Sequence, residues 1–175
     1  ILSGAFPQLR MIAKAAFDMA LTAASAATSR VELVDQKHLH SILKHAFNDF
    51  RGIVVMKGAF PELLGLEYAA FADRAVVSNS NPESVVELVN LPKLQLLDAV
   101  IFEGFNGSVR VAGCFPMLRE IGIRSFYRVK NLTLSITDGS PVLSCIGEGS
   151  LPSCTTCDSS SGIDVGGSFP CLDVT

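Results

Sequence analysis

The fold is decided by a stretch that reads Phe115-Pro116-Met117-Leu118-Arg119-Glu120-Ile121-Gly122-Ile123-Arg124-Ser125-Phe126. It opens with a four-residue tag: an aromatic residue or Leu, then Pro, then any residue, then Leu. The tag occurs at residues 6–9, 60–63, 91–94, 115–118 and 169–172. Self-similarity of this kind is the sequence signature of a repeat architecture.

Each complete copy continues in the same register after the conserved Leu. An aliphatic residue follows three positions later and an aromatic residue five positions after that, as in Ile12 and Phe17. Two degenerate copies keep this register without the full tag: Leu39, Ile42 and Phe47 in one, and Pro141, Leu143, Ile146 and Leu151 in the other. Repeats then start near Phe6, Gln36, Phe60, Leu91, Phe115, Ser140 and Phe169, in steps of 24 to 31 residues. The chain has 11 Phe in 175 residues, yet Phe holds the aromatic position in five of six complete repeats, so coincidence is a poor explanation.

One repeat cannot cover its own apolar face, whereas stacked repeats bury a continuous ladder of Leu on Leu, Ile on Ile and Phe on Phe. Ile121 and Ile123 alternate with strand period and are expected to point inward together. The Pro before each strand suits strand entry, because it fixes φ and lacks an N–H. We therefore predict a leucine-rich-repeat solenoid, mainly β or of α/β type. It has one parallel β-sheet of short strands, with further short strands, turns or pieces of helix on the other side.

The second half of each repeat is less regular. Residues 53–55, 109–111 and 132–134 form short β-branched runs that are strand-like in composition. The longer repeats are expected to carry their extra residues at 22–30 and 78–84, and residues 158–167 are typical of a flexible loop. The whole chain, 1–175, is expected to be one solenoid fragment of a longer protein, with its seventh repeat cut off.

A family resemblance rests on Cys145-Ile146-Gly147-Glu148-Gly149-Ser150-Leu151-Pro152-Ser153-Cys154. This segment resembles the signature of the BspA-type leucine-rich repeat, roughly Leu-x-x-Ile-x-x-x-Ala-Phe-x-x-Cys-x-x-Leu. The Ala-Phe element recurs at Ala16-Phe17, Ala46-Phe47 and Ala70-Phe71. The chain differs from the family in its regularly placed Pro and in its longer repeats. The resemblance implies a cell-surface or secreted protein that adheres to host or matrix proteins, and it carries over no catalytic residue.

Composition narrows the function classes. Hydrophobic residues make up 49% and charged residues 18% of the chain, with a mean hydropathy of +0.40, which excludes a disordered tail. No apolar run reaches the ~20 residues of a membrane helix, so no membrane insertion is expected. A net charge of −3 argues against a nucleic-acid partner, for which a basic face would be expected.

Cysteine and histidine are the candidate metal ligands. Cys145, Cys154, Cys157 and Cys171 leave three possibilities open: buried ladder cysteines, disulfides, or a four-cysteine zinc site that lacks the usual second Cys-x-x-Cys. His38, His40 and His45 lie in one repeat, but a solvated surface explains them more simply than a metal site. We therefore predict no metal and no cofactor.

Two further sets of residues are candidates for the surface. Asn106 and Asn131 begin glycosylation sequons, which support secretion only weakly. Alternation from the conserved Leu predicts an outward sheet face, and its informative members are Ser41, His45, Glu67, Asp98, Glu120 and Arg124. Mixed charges among apolar residues suit a protein ligand better than a polyanion, although an ordinary solvated face has the same composition.

The hypothesis that follows is a non-catalytic recognition or adhesion module with an unidentified protein ligand. Its main alternative is a structural spacer or scaffold segment. A β-helix enzyme acting on carbohydrate would need stacked acidic and basic residues at one repeat position, which the aligned repeats do not supply. No nucleophile elbow, phosphate loop or paired-carboxylate motif occurs in the chain.

Overall fold

A computed structural model describes residue 4, residues 6–17, 29–73, 81–136 and 142–150, and the strands Gly162–Val165 and Asp173–Val174. Seven two-residue strands form a parallel sheet, the short-strand sheet, in chain order: β1 (Met11–Ile12), β3 (Ser41–Ile42), β5 (Gly65–Leu66), β7 (Leu96–Leu97), β9 (Glu120–Ile121), β11 (Cys145–Ile146) and β13 (Asp173–Val174). Six longer strands form the parallel long-strand sheet: β2 (Arg30–Val34), β4 (Ile53–Lys57), β6 (Val85–Val89), β8 (Ser108–Gly113), β10 (Asn131–Ile136) and β12 (Gly162–Val165). The described residues contain no helix, and the chain is a parallel β-solenoid of about 5 turns.

The predicted mainly-β repeat solenoid is confirmed. The short strands β1, β3, β5, β7, β9 and β11 each begin five residues after a predicted repeat start. The prediction of one sheet is wrong, because the runs 53–55, 109–111 and 132–134 belong to β4, β8 and β10 of a second parallel sheet. Residues 158–167, predicted as a loop, contain β12, which pairs with β10; the rest of that segment lies outside the described residues.

A column of phenylalanine rings forms the centre of the core. Phe17, Phe47, Phe71, Phe102 and Phe126 stack nearly parallel, with neighbouring ring centroids 4.8, 5.0, 5.3 and 5.7 Å apart. These separations are close to the spacing of neighbouring strands, so each turn of backbone adds one ring to the column. Phe50 and Phe105 pack edge-on against the column, with centroid distances of 5.9–6.4 Å, and both are buried.

A left-handed corner ends each short-strand segment. The residue six positions after the conserved Leu has a positive φ in every described turn: Ala15, His45, Ala69, Val100, Arg124 and Gly149. The N–H of this corner donates to the next turn, as from His45 to the Tyr68 carbonyl at 3.0 Å and from Val100 to the Ile123 carbonyl at 2.8 Å. Two residues later the N–H of the stacked Phe does the same, as from Phe47 to the Ala70 carbonyl at 2.7 Å. Turns are therefore joined by backbone hydrogen bonds at their corners as well as in their strands.

The corner explains an error in the predicted alternation. Ile123 was expected to point inward with Ile121, but its side chain is 53% exposed, whereas Gly122 is buried. The strand β9 ends at Ile121, and the chain then turns towards the left-handed Arg124. Strand alternation is valid only within the strand, and here the strand is two residues long.

The long-strand sheet reveals a larger unit of two turns. The sequence of Ser29–Asp35 is Ser-Arg-Val-Glu-Leu-Val-Asp. It recurs 55 residues later in Ser84–Asn90, which is Ser-Val-Val-Glu-Leu-Val-Asn. Phe47, Phe50, Gly52 and Gly58 likewise correspond to Phe102, Phe105, Gly107 and Gly113 at the same offset. The first unit therefore carries β2 and β4, and the second carries β6 and β8.

Each unit is closed by the same pair of contacts. At the start of the strands, the Ser29 carbonyl accepts from Ile53 and the Ser84 carbonyl accepts from Ser108, both at 2.9 Å. At the end of the strands, an Asp or Asn side chain in the left-handed region accepts from the backbone of the following turn. Asp35 Oδ1 receives the Ala59 N–H at 2.8 Å, and Asn90 Oδ1 receives the Cys114 N–H at 3.0 Å.

Gly107 allows the close approach at the start of the second unit. A Cβ on Gly107 would meet the Ser84 carbonyl oxygen and lie 2.7 Å from the Phe105 ring, closer than atoms pack. We expect Gly107→Ala to lower the free energy of unfolding by about 1–3 kcal/mol, the usual cost of overpacking a core. Urea denaturation followed by circular dichroism measures the loss.

Gly65→Ala is the matched control. Gly65 lies in β5, and its nearest neighbour would be the Leu96 carbonyl oxygen at an ordinary 3.5 Å. The control should be neutral or slightly stabilising, because Ala loses less conformational freedom on folding than Gly. Equal stability of the two variants would contradict the close packing of the two-turn unit.

Candidate functional site

The six residues predicted for one sheet face are distributed over three rows. Ser41 and Glu120 lie in the outward row of the short-strand sheet, where Cα partners follow one another along the solenoid: Met11, Ser41, Gly65, Leu96, Glu120 and Cys145. Glu67 and Asp98 lie two residues beyond the outward residues of their strands, in the turn that follows. His45 and Arg124 occupy left-handed corners. The prediction thus grouped residues that the backbone separates.

Glu67 and Asp98 use their carboxylates to bind the backbone. Glu67 Oε2 accepts from the Lys44 N–H of the preceding turn at 3.2 Å. Asp98 Oδ2 accepts from the Tyr68 N–H at 3.1 Å, and Asp98 Oδ1 accepts from the Ala99 N–H at 2.6 Å. Both side chains therefore stabilise the turn, which gives them a structural role that the sequence did not indicate.

Arg124 and His45 make aromatic and ionic contacts at their corners. Arg124 pairs with Glu103, Nη2 to Oε1, at 2.7 Å, and its guanidinium carbon lies 4.4 Å from the centre of the Tyr127 ring. The His45 ring packs edge-on against Tyr68 at 5.4 Å between centroids. Each of these side chains is half-buried or exposed, so an exposed ion pair such as that of Arg124 contributes little to stability.

The exposed large apolar side chains are all on the short-strand side of the solenoid. Within the described ranges they are Met11, Leu64, Tyr68, Met117, Ile123 and Val142, each 37–53% exposed, and we call them the apolar strip. Each lies between one residue before and five residues after a conserved Leu, whereas the long-strand sheet contributes none. Of the six, only Met11 falls on a predicted outward position. Tyr68 and Ile123 lie beyond the ends of the two-residue strands, where alternation no longer holds, and Leu64, Met117 and Val142 precede the strands.

Charged groups flank the apolar strip. Lys93 Nζ donates to Glu62 Oε2 at 2.6 Å, on adjacent turns. The pKa of Glu62 is lowered from its usual value by this hydrogen bond, which outweighs the opposing effect of desolvation, and the charge of Lys93 lowers it further. His40 and His38 add weaker attraction. In the described part of the chain no three His, Cys, Asp or Glu residues are grouped to hold a metal ion.

Of the four candidate cysteines, only Cys145 lies in the described part of the chain. Cys145 lies in β11, half-buried in the outward row, and has no disulfide partner among the described residues. Cys154, Cys157 and Cys171 lie outside those residues, so buried ladder cysteines, disulfides and a zinc site all stay open for the four. The sequon residues Asn106 and Asn131 are both half-buried; Asn131 begins β10, with Thr133 exposed two residues later.

Comparison with known proteins adds no relative to this architecture: neither a family model, nor a curated protein, nor a solved structure matches the chain. The fold itself defines the class, a parallel β-solenoid with two sheets. Among the described residues no helix has the length and apolar character needed to span a membrane.

The structural role of Asp98 can be tested against a neighbouring acid. Asp98→Ala removes the acceptors of two backbone N–H groups, and we expect it to lower the free energy of unfolding by about 1–2 kcal/mol. Glu120→Ala removes an exposed carboxylate that makes no hydrogen bond to the described residues, and should change stability by less than about 0.5 kcal/mol. Urea unfolding of both variants makes the comparison, and equal losses would refute the backbone role of Asp98.

Proposed function

We propose that this chain is a non-catalytic protein-recognition or adhesion module of a cell-surface or secreted protein, and that it binds through its short-strand side. The observation that carries the proposal is the apolar strip, whose six members all lie on one side of the solenoid. Exposed apolar groups concentrated on one face are typical of protein interaction sites, whereas scattered ones need no explanation.

The chemistry of the strip supports a protein partner. Tyr and Met are enriched at the cores of protein interfaces, and the strip contains Tyr68, Met11 and Met117. Exposed charges of both signs border it, among them Lys44, Arg119 and Glu148. An apolar centre with a mixed polar rim is the usual anatomy of such an interface.

The scaffold behind the strip favours binding without rearrangement. The rings of the stacked Phe column come two residues after the corners, and hydrogen bonds join the corner of each turn to the next turn. Side chains on a rigid surface lose less conformational freedom on association than those on mobile loops. This arrangement agrees with the role that the resemblance to BspA-type leucine-rich repeats implies, and kinship with that family is part of the proposal.

Site-specific photo-crosslinking tests the proposal. A photoreactive phenylalanine analogue replaces Tyr68 or Ile123 on the strip, and Thr133 on the long-strand sheet serves as the exposed control. The variants are incubated with surface and secreted proteins from the protein's own source. We expect crosslinked adducts from the two strip positions and none from Thr133.

Competition establishes that these adducts are specific. Excess unlabelled wild-type chain should suppress them, whereas a Tyr68→Asp, Ile123→Asp competitor should not, because two charges in the strip oppose apolar contact. Adducts of equal yield at Thr133, or suppression by the doubly substituted competitor, would contradict recognition by the strip. Absence of adducts at all three positions would favour the alternative of a structural spacer.

A further inference from the structure

The short-strand side of the first two described turns carries no acidic residue. Residues 6–17 and 36–47 run from the repeat start to the stacked Phe of these turns, and they contain four Lys or Arg, three His and no Asp or Glu. Arg10, Lys14, Lys37 and Lys44 are all exposed, and we call them the basic surface. The chain as a whole has a net charge of −3, so the basic surface is a local excess of the opposite sign. Such an excess directs an anionic partner to one part of a protein.

One row of neighbouring residues leads from the basic surface to the apolar strip. The Arg10 carbonyl accepts from the His40 N–H at 2.7 Å, and the His40 carbonyl accepts from the Leu64 N–H at 2.8 Å. Arg10, His40 and Leu64 therefore follow one another on successive turns, about 4.8 Å apart. Leu64 is 37% exposed and belongs to the apolar strip. The row thus changes from basic to apolar at the third turn.

A second row, at the corners, has the same order. The Ala15 N–H donates to the Lys44 carbonyl at 3.2 Å, and the His45 N–H donates to the Tyr68 carbonyl at 3.0 Å. The residues before these corners, Lys14 and Lys44, are therefore aligned with Tyr68 on successive turns. Tyr68 is also a member of the apolar strip. Both rows present two basic or potentially basic side chains and then an apolar one.

The acidic side chains of the third turn are already engaged. Glu62 pairs with Lys93 of the fourth turn at 2.6 Å, Oε2 to Nζ. Glu67 Oε2 accepts from the backbone N–H of Lys44 at 3.2 Å. The side chains of the basic surface form no salt bridge with any residue of the described ranges. Their charges are therefore available to a partner.

The third turn also selects the kind of anion. A long polyanion lying along the solenoid would pass from the basic surface onto the carboxylates of Glu62 and Glu67. A short acidic segment that ends in an apolar residue would instead meet positive charge on two turns and then Leu64 or Tyr68. Charge complementarity therefore favours a segment of a protein over a polyanion.

We propose that the basic surface and the adjoining part of the apolar strip bind an extended segment of a partner protein of the form Glu-x-Glu-x-Leu, lying along the solenoid. Alternate side chains of an extended segment point the same way, so both carboxylates and the Leu face the solenoid. The segment spans about 13 Å and the first to third turns about 10 Å, a difference that long basic side chains can bridge. The inference rests on the proposed function, because it names the chemistry of the partner that the strip recognises.

Fluorescence anisotropy with labelled peptides tests the proposal on the whole chain. The peptide Ser-Glu-Ser-Glu-Ser-Leu-Ser is compared with versions that have Gln or Lys in place of both Glu. The Glu peptide should bind about tenfold more tightly than the Gln peptide at low salt, because each of two exposed ion pairs contributes a factor of about two to five. The advantage should disappear at about 0.5 M salt, which screens exposed charges. Equal binding of the Glu and Gln peptides at low salt, or no binding, would overturn the proposal.

Two further ligands test the apolar residue and the class of anion. Replacing the Leu of the Glu peptide by Ser should weaken binding about fivefold, the scale of partly burying one Leu side chain. Unchanged affinity would contradict the part played by the strip. A DNA duplex serves as the polyanion, and at about 0.15 M salt it should bind more weakly than the Glu peptide. Tighter binding of the duplex would reassign the basic surface to polyanions and refute the protein segment.

Charge reversal provides a readout that misfolding cannot imitate. The triple variant Arg10→Glu, Lys14→Glu, Lys44→Gln should invert the preference, so that the Lys peptide becomes the tightest ligand. Lys44 is changed to Gln because a Glu there would face Glu67. An unchanged order of the peptides, with a native circular dichroism spectrum, would refute the assignment.

A control variant makes the same change of charge elsewhere. Lys57→Glu, Lys130→Glu, Arg110→Gln alters three exposed residues at the long strands β4, β8 and β10, and should leave the order of the peptides unchanged. Inversion in this variant would mean that net charge, and not the basic surface, selects the peptide. The proposed function fails separately: crosslinked adducts at Tyr68 and Ile123 that persist in the triple variant would preserve recognition by the strip and contradict only the acidic segment.

Discussion

The structure depends on hydrogen bonds that each turn completes with the next. At the described corners from Ala15 to Arg124 the chain leaves a two-residue strand, and the N–H groups of the corner residue and of the residue two positions later donate to the next turn. The corner N–H of Arg124 donates to the Glu148 carbonyl, and that of Phe126 donates to the Ser150 carbonyl, both at 3.0 Å. Since buried backbone groups are costly when unpaired, an isolated turn would not be stable, and the turns fold as a stack.

This constraint explains why unfavourable conformations persist at the corners. A residue other than Gly in the left-handed region costs about 1–3 kcal/mol, and a β-branched one is rarer still. Val100 nevertheless holds this conformation, because its N–H reaches the Ile123 carbonyl and its neighbour Phe102 is fixed in the aromatic column. The hydrogen bond and the ring stacking stabilise the corner against the local strain, which is why the position accepts such different side chains.

The same diversity limits what the sequence predicts. The Phe column and the start of each short strand follow from spacing, because burial demands a ring and an aliphatic residue at fixed positions. The corner positions show no such sequence pattern, since the side chains of Ala69, Val100 and Arg124 have no chemical property in common. The backbone role of Asp98 depends on an N–H of a neighbouring turn, which no local pattern shows. The two-turn unit was detectable, but only by comparing the chain with itself at 55 residues instead of one repeat.

The two-turn unit also determines where this solenoid differs from a uniform rod. Within a unit the corners are level, and the Asp or Asn side chain fills the space that a Cβ at the neighbouring Gly would need. Between the units the register changes by two residues, and a depression lined by Pro61, Pro92, Glu87 and Arg110 lies at this step. A uniform repeat presents the same surface at every turn and has little means of selecting a partner at one of them. In the described part of the long-strand sheet, the register step between β4 and β6 differs from the level pairing of β8 with β10, and specificity requires such a difference.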